Sequence, residues 1–514
     1  MDDIRTSTRE RAVPLALALA ALALQLATVN AYGWFRDELY YVACGEHLDW
    51  GYVDHPPLIA LITRFAREVF GDSLWAVRLL PALAGAAVVL LAARLARELG
   101  GGALAQAVAA LCAALAPIYL SIFHILSMNA FEILLWTLGA LVLARIVHTG
   151  DGRLWLLFGL VAGIGLETKH SMLVFGFAAF VALALTPERR HFARPWIWLG
   201  GLLAFLLFLP NLIWQQLHGW PTLEFMDNAQ RLKNVAFSPL AFFREQILML
   251  NPLSVPVWLG GLGWLLFAKR GRPFRLFGWM YLVALAVLLT QRSKPYYLGP
   301  IYPLLFAAGG AAWESCLARL QAPRLRIAVA TALVLLVAAG GLLALPMALP
   351  VLPEKSFIHY SRALGIQPGT DEKHEMGDLP QFYADMHGWR EMAAEVARVY
   401  RSLPPEEQKV AEVFGQNYGE AGAINVLGRD YGLPRAISGH NSFWLWGPEG
   451  YDGRVLIILG GDEDDNRRVC PDLRRAGTVR CRYCMPYEDG LPVWLCHNLT
   501  PPFPELWPEL KKYI

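Results

Sequence analysis

IAVATALVLLVAAGGLLALPMAL, residues Ile327–Leu349, carries no charge over its whole length and is preceded directly by Arg324 and Arg326. A helix needs about 20 residues to cross a hydrocarbon core of about 30 Å, so this stretch reads as a membrane span. Working outward from it, ten more apolar runs of similar character precede it. They cover residues 12–31, 75–94, 102–122, 128–147, 154–167, 170–186, 196–214, 251–268, 274–291 and 298–318. The expected fold class is therefore a polytopic α-helical membrane protein with about 11 transmembrane helices.

Composition agrees, because 55% of the 514 residues are hydrophobic and only 17% are charged. The apolar residues crowd into the first 350 positions and thin out afterwards, which divides the chain into a membrane domain, 1–349, and a tail, 350–514. A net charge of +2 gives no electrostatic case for a nucleic-acid partner. The 18 Trp suit helix ends that lie at two bilayer interfaces. Gly159 and Gly163 form a G-x-x-x-G step that lets two helices approach closely.

Positive residues stay on the cytoplasmic side of short loops. Arg5, Arg9 and Arg11 put the N-terminus inside, and Arg94, Arg97, Arg145, Arg153, Arg189, Arg190, Arg194, Lys269 to Arg275, and Arg319 to Arg326 then all fall in inside loops. An odd number of spans leaves loops 32–74 and 215–250, and the tail, on the outer side.

The tail alternates short β-branched runs, Val410–Phe414 and Val455–Leu459, with helical patterns such as Trp389–Leu403. It reads as a mixed α/β domain. Cys470, Cys481, Cys484 and Cys496 lie within its last 45 residues. Outside the cytosol an even set points to one or two disulfides, with a four-cysteine zinc site as the rival reading. The stretch Phe443–Pro448 is either a buried strand edge or a surface for stacking on a sugar. The chain has no Walker loop, no Rossmann glycine fingerprint and no G-x-S-x-G, so it offers nothing for ATP-driven transport.

The outer loop after the first run begins Tyr32-Gly33-Trp34-Phe35-Arg36-Asp37-Glu38-Leu39-Tyr40-Tyr41. Two adjacent carboxylates beside hydrocarbon need partners, and on a helix they point about 100° apart, so Asp37 and Glu38 serve different faces. One can face a reaction while the other holds the loop. The bland reading is a solvated acidic step. Further on, Pro56 and Pro57 lock a turn that presents Asp54 and His55. Glu132, near the outer end of the fourth run, is a carboxylate at a position where burial is expensive.

An acidic residue in an Arg-Asp-Glu-Leu-Tyr-Tyr context just after the first span, followed about 20 residues later by Pro-Pro-Leu, resembles the membrane glycosyltransferases of the GT-C superfamily. The sequence is most similar to bacterial family 39 proteins, related to protein O-mannosyltransferases and the aminoarabinose transferase of lipid A. The similarity runs on through Ser127-Met128-Asn129-Ala130-Phe131-Glu132, Glu167-Thr168-Lys169-His170-Ser171-Met172, Ser293-Lys294-Pro295-Tyr296-Tyr297, Tyr418-Gly419-Glu420-Ala421-Gly422 and Ser438-Gly439-His440-Asn441-Ser442.

The resemblance implies inverting transfer of a sugar from a polyprenyl-phosphate donor. Asp37 would be the general base and Glu38 a supporting or acceptor-orienting acid. The leaving phosphate needs cations and donors, a role suited to Lys294, Tyr296, Tyr297, Lys169 and His170, with Asp54, His55 and Glu132 as further substrate-binding candidates. In aminoarabinose-transferring relatives the residue before Pro-Pro-Leu is often a lysine implicated in the phosphate site. Here it is His55, so that role depends on protonation. No cofactor is required. A divalent metal is possible, yet Asp37, Glu38, Asp54, His55 and His170 match no metal motif by spacing. The expected setting is a bacterial inner membrane, with the C-terminal domain periplasmic. The acceptor, whether glycolipid, lipid A, polysaccharide or protein, is not written in the chain. Two other classes fit the same span pattern: a transporter or flippase of lipid-linked sugars, and a noncatalytic subunit on the same fold.

Overall fold

A computed structural model describes residues 8–370 and 372–514. Arg5, invoked above for orientation, lies outside the described residues, as do the side chains of Arg9 and Arg11. The chain separates into two compact units. One holds the described residues up to Val29 together with Trp75–Leu212 and Ala236–Val351; the other holds Asn30–Leu74, Ile213–Val235 and Leu352–Ile514.

The first unit is helical. Among the described residues five helices, lying wholly or mostly in this unit, are long and apolar enough to cross a membrane: Leu74–Glu98, Met128–Thr149, Pro195–Leu217, Arg272–Thr290 and Pro323–Ala348. Two bent pairs raise the number to seven, namely Met172–Ala184 with Pro187–Ala193 at 106° and Pro239–Met249 with Pro252–Phe267 at 88°. Three apolar helices are shorter: Ala12–Thr28, Ala103–Leu115 and Leu154–Thr168.

Eleven apolar runs are thus not eleven long helices among the described residues, and two of the runs are interrupted where a proline stands. Residues 102–122 break at Ala116 and resume as Pro117–Ile122, because Pro117 has no N–H for the helical ladder. Residues 298–318 begin in a 3-10 turn, Pro295–Ile301, and become α-helical only over Tyr302–Leu317.

Packing within this unit is graded. The most apolar window of Met128–Thr149 is 67% buried, whereas that of Pro195–Leu217 is 17% buried, with Leu199, Leu202, Phe205 and Leu206 turned outward. An exposed apolar helix face of this length is stable in lipid, not in water. The Gly159–Gly163 step does allow close approach. A Cβ on Gly159 would stand 2.1 Å from the Gly200 carbonyl oxygen, so helix Leu154–Thr168 meets Pro195–Leu217 backbone to backbone there.

The second unit contains a five-stranded sheet. Its strands are β1 (Ala411–Gly415), β2 (Ala436–Ile437), β3 (Val455–Leu459), β4 (Arg474–Thr478) and β5 (Pro492–His497), in the order β2-β1-β3-β5-β4. β1 pairs in parallel with β2 and β3, while β5 runs antiparallel to β3 and β4. β1 and β3 are buried throughout, as expected of β-branched runs covered on both faces. Phe414, Ile437, Leu456, Ile458, Trp494 and Trp507 form one apolar core on this sheet.

Disulfides join Cys470 to Cys496 and Cys481 to Cys484. Phe443–Pro448 is neither strand nor strand edge. It contains the short helix Ser442–Trp446, where Trp446 stacks on His47 at 4.2 Å and Trp444 exchanges hydrogen bonds with Trp507, each indole donating to the other's carbonyl.

Residues 32–74, assigned above to the membrane domain, fold with this second unit. They contribute the helices Arg36–Glu46 and Leu58–Phe70, and Tyr40 and Val53 are tied to Ser442 by hydrogen bonds.

Candidate active site

Helix Arg36–Glu46 begins with two acids, and the structure gives them different tasks. Glu38 is fully buried, and its Oε2 accepts the Phe35 N–H at 2.8 Å, so it turns back onto the N-terminus of its own helix. Asp37 points elsewhere. Its Oδ1 accepts the Tyr418 hydroxyl at 2.8 Å and lies 3.8 Å from Arg36 Nε, with 34% of its side chain exposed.

Arg36 organises the ground beneath Asp37. Its Nη2 stands 3.7 Å from both Glu372 and Asp385, its Nη1 donates to Tyr487 at 3.2 Å, and its guanidinium lies 5.6 Å from the centre of the Tyr418 ring. Lys233 reaches the other Glu372 oxygen at 3.4 Å. Burial works against the Arg36 charge, but Asp385, Tyr418, Tyr487 and Glu372 outweigh it and hold its pKa well above the ordinary value. Burial pushes Asp385 up to about 6 although Arg36 pulls it down, and burial also raises Tyr418 and Glu488. Asp385 and Glu372 have 1% and 8% side-chain exposure against 34% for Asp37. Of the three acids around Arg36, Asp37 is the one a substrate can reach.

Asp54 and His55 belong to the framework of the same unit. The Tyr40 hydroxyl lies 2.8 Å from Asp54 Oδ1 and 2.7 Å from Ser442 Oγ; with one proton it donates to the carboxylate and accepts from the serine. His55 is fully buried. Its Nδ1 lies 2.8 Å from the Pro56 carbonyl, its Nε2 lies 3.6 Å from Cys44 Sγ, and its ring stacks on Tyr52 at 4.7 Å. Burial lowers its pKa. The enclosed ring packs into the Pro56-Pro57 turn, and burial disfavours the protonated form on which its phosphate role depends.

The first unit holds a second polar centre, assembled from residues that sequence reading treated separately. Lys169 Nζ donates to Asn129 Oδ1 at 2.7 Å and to Glu132 Oε2 at 3.0 Å. The same nitrogen sits over the rings of Tyr297 and Tyr296, at 4.2 and 5.4 Å from their centres. Ser171 donates to the other Glu132 oxygen. Lys169 and Glu132 are buried, so the ion pair and the ring faces hold a charge that lipid alone would reject. His170 Nε2 lies 3.3 Å from Asn211 Oδ1, and Lys294 caps the 3-10 turn that carries both tyrosines.

The acids proposed as possible metal ligands do not converge. Among the described residues Asp37, Glu38, Asp54 and His55 form no set within coordinating distance of one another, and the three-residue cluster that is present, Cys470, Asp472 and Cys496, has its cysteines joined to each other.

Tyr418, Arg36, Glu372, Asp385 and Tyr487 had no assigned role in the sequence reading. Their sequence signals were Arg36 in the Arg-Asp-Glu-Leu-Tyr-Tyr stretch and the Tyr418-Gly419-Glu420 motif, and the 381 residues between Asp37 and Tyr418 hid their pairing.

Similar proteins supply the remaining context. Residues 54–214 match the family model for dolichyl-phosphate-mannose-protein mannosyltransferase. Lipid A galacturonosyltransferase RgtD of Rhizobium johnstonii is 26% identical over 230 residues, which are 44% of this chain and 48% of that protein. The match therefore spans about half the length of that relative. Among solved structures, ArnT from Cupriavidus metallidurans bound to undecaprenyl phosphate superposes with a TM-score of 0.60 at 16% identity, covering 93% of this chain and 97% of ArnT. The Archaeoglobus fulgidus oligosaccharyltransferase tethered with an acceptor peptide superposes with a TM-score of 0.54 at 12% identity, covering 83% and 64%. Identities this low speak to fold alone, and the chain shares the fold of these two proteins.

Proposed function

From a GT-C fold of the family 39 type, we propose that this chain is an inverting glycosyltransferase that moves a sugar from a polyprenyl-phosphate donor to an acceptor at the outer face of a bacterial inner membrane. The observation that carries the reading is Asp37: a carboxylate held by Tyr418 at 2.8 Å, one-third exposed, above acids that are buried. Such a group suits a general base. In the reaction the acceptor hydroxyl gives its proton to Asp37 as its oxygen attacks the anomeric carbon. The bond from that carbon to the phosphate oxygen breaks, and the polyprenyl phosphate leaves with the electron pair.

The leaving phosphate gains negative charge as it departs and needs fixed donors. Lys169, with Tyr296 and Tyr297, Lys294 and His170, is the group to which this reading assigns that task. Glu38 and Glu132 act as partners that hold, respectively, a helix start and a lysine. The scheme routes no step through a metal. RgtD and ArnT are named for transfer and lipid binding at lipid A and undecaprenyl phosphate, and a cell-envelope glycolipid is accordingly the first acceptor class to test.

The test is mass spectrometry of membrane glycolipids, glycans and proteins from deletion cells complemented with wild type or Asp37→Asn at matched folded abundance. A glycan restored by wild type and absent with Asp37→Asn is the expected result. Equal restoration by both would end the assignment of the base.

A further inference from the structure

The loops richest in Lys and Arg enclose a pocket of about 290 Å³ in the first unit. Thr186 and Glu188 line it from the 106° bend between helix Met172–Ala184 and the 3-10 helix Pro187–Ala193, and Lys269, Arg272 and Arg275 line it from the turn that opens helix Arg275–Thr290. Cations outnumber acids in this lining. The one carboxylate is already engaged, with Glu188 lying 3.0 Å from Arg190 Nη2 and 3.3 Å from His191 Nε2. Among the described residues the side chains of Lys269, Arg272 and Arg275 meet no acid, and Arg275 Nε is shut off from solvent with no hydrogen-bond acceptor. The start of helix Arg275–Thr290 adds its own partial positive charge.

A compact anion with several acceptor oxygens fits this lining. A phosphoryl group offers that chemistry, and arginine forks match it. The pocket is small, near the lower limit of roughly 300–1,000 Å³ for small-ligand sites, so it takes a head group and not a whole lipid. The surroundings favour a lipid source over a soluble one. Leu185 and Phe267, one and two residues from the pocket walls, leave 57% and 82% of their surface uncovered, a lining suited to acyl chains beside a seated head group. Basic pockets between helix ends are a known setting for anionic lipid head groups. We propose that this pocket binds the phosphodiester head group of an anionic phospholipid in the leaflet on the side of the basic loops. It is a site separate from the sugar-transfer chemistry proposed above.

The full-length protein in nanodiscs is the material for the test. Thermal stability and native mass spectrometry would compare phosphatidylglycerol with phosphatidylcholine alone, and with inorganic phosphate added in solution. Lys269→Gln/Arg272→Gln removes two exposed cations, with its fold checked by unchanged melting in phosphatidylcholine. Arg324→Gln/Arg326→Gln removes two exposed cations from another basic loop as the control. The expected result is retained phosphatidylglycerol on wild type, binding weakened at least about tenfold in the first variant through loss of charge-assisted hydrogen bonds to the phosphoryl oxygens, and a clearly smaller change in the control. Equal weakening in both variants would overturn the site in favour of diffuse charge attraction. Saturable binding of inorganic phosphate with no preference between the two lipids would overturn the lipid assignment.

Discussion

Around Lys169 the charges balance one to one, whereas around Arg36 they do not. Glu132 and Lys169 are both buried and meet at 3.0 Å, with Asn129, Ser171 and two tyrosine faces taking up the remaining polar atoms. Arg36 serves three carboxylates, assisted at Glu372 by Lys233. A centre with surplus acids carries a proton more readily, since repulsion and burial favour the neutral form of at least one member. The first arrangement is a one-to-one ion pair, and the second includes a buried acid, Asp385, whose neutral form burial favours.

The comparison can be broken at its sharpest point by Asp37→Asn. If the surplus-acid centre supplies the base, in vitro transfer from a polyprenyl-phosphate sugar should fall by roughly 10²- to 10⁴-fold, with melting little changed because Asp37 is part-exposed. At the balanced centre, Lys169→Met strands a buried Glu132 and should destabilise by about 3–5 kcal/mol in urea or thermal unfolding. Adding Glu132→Gln should recover much of that stability without recovering transfer. Recovery of both would reduce the centre to packing.

The proton-carrying side also has a signature in pH. Asp385 is raised from an ordinary carboxylate value to about 6, so the folded form binds more protons than the unfolded form between those values. Its contribution to stability is fully present below pH 4 and is lost as pH rises through 6. Asp385→Asn should remove that loss, so its stability relative to wild type should improve by roughly 3 kcal/mol between pH 4 and pH 7. Glu412 and Glu420, each pushed up to about 7 by burial, supply further loss in the same direction that the variant leaves in place. The smallest effect expected is that of Tyr418→Phe. A hydrogen bond to a charged group contributes about 1.5–3 kcal/mol, so transfer should fall by roughly 10- to 100-fold, chiefly in kcat, with donor KM unchanged.

Periodicity and composition made parts of this molecule legible before any coordinates. Val455–Leu459 is a strand over the stated residues, the Val410–Phe414 strand lies one residue later, and the Trp389–Leu403 helix ends at Arg401. These are local signals of hydrophobic spacing. The separate tasks of Asp37 and Glu38 were also anticipated, because neighbouring helical residues point apart. Tertiary pairings were not legible. Nothing near Asp37 announces Tyr418, and nothing near Lys169 announces Tyr297. Helix lengths were less legible than apolar runs, since a hydropathy window does not register the N–H that Pro117 lacks. Phe443–Pro448 misled because aromatic richness raises β propensity, while Gly447 and Pro448 cut the segment to a single short helix.

The second unit is assembled from three stretches of chain with two long departures between them. Tyr40 and Ser442, hydrogen-bonded at 2.7 Å, are separated by 402 residues. At a synthesis rate of about 5–20 residues per second, the segment bearing Asp37 is made roughly 20–80 s before its partner exists. The acid-bearing helix therefore spends that interval without Tyr418 and Ser442, although Asp54 and His55 are already in the chain beside it. Truncation anywhere before Tyr418 therefore leaves Asp37 without the hydroxyl that holds it.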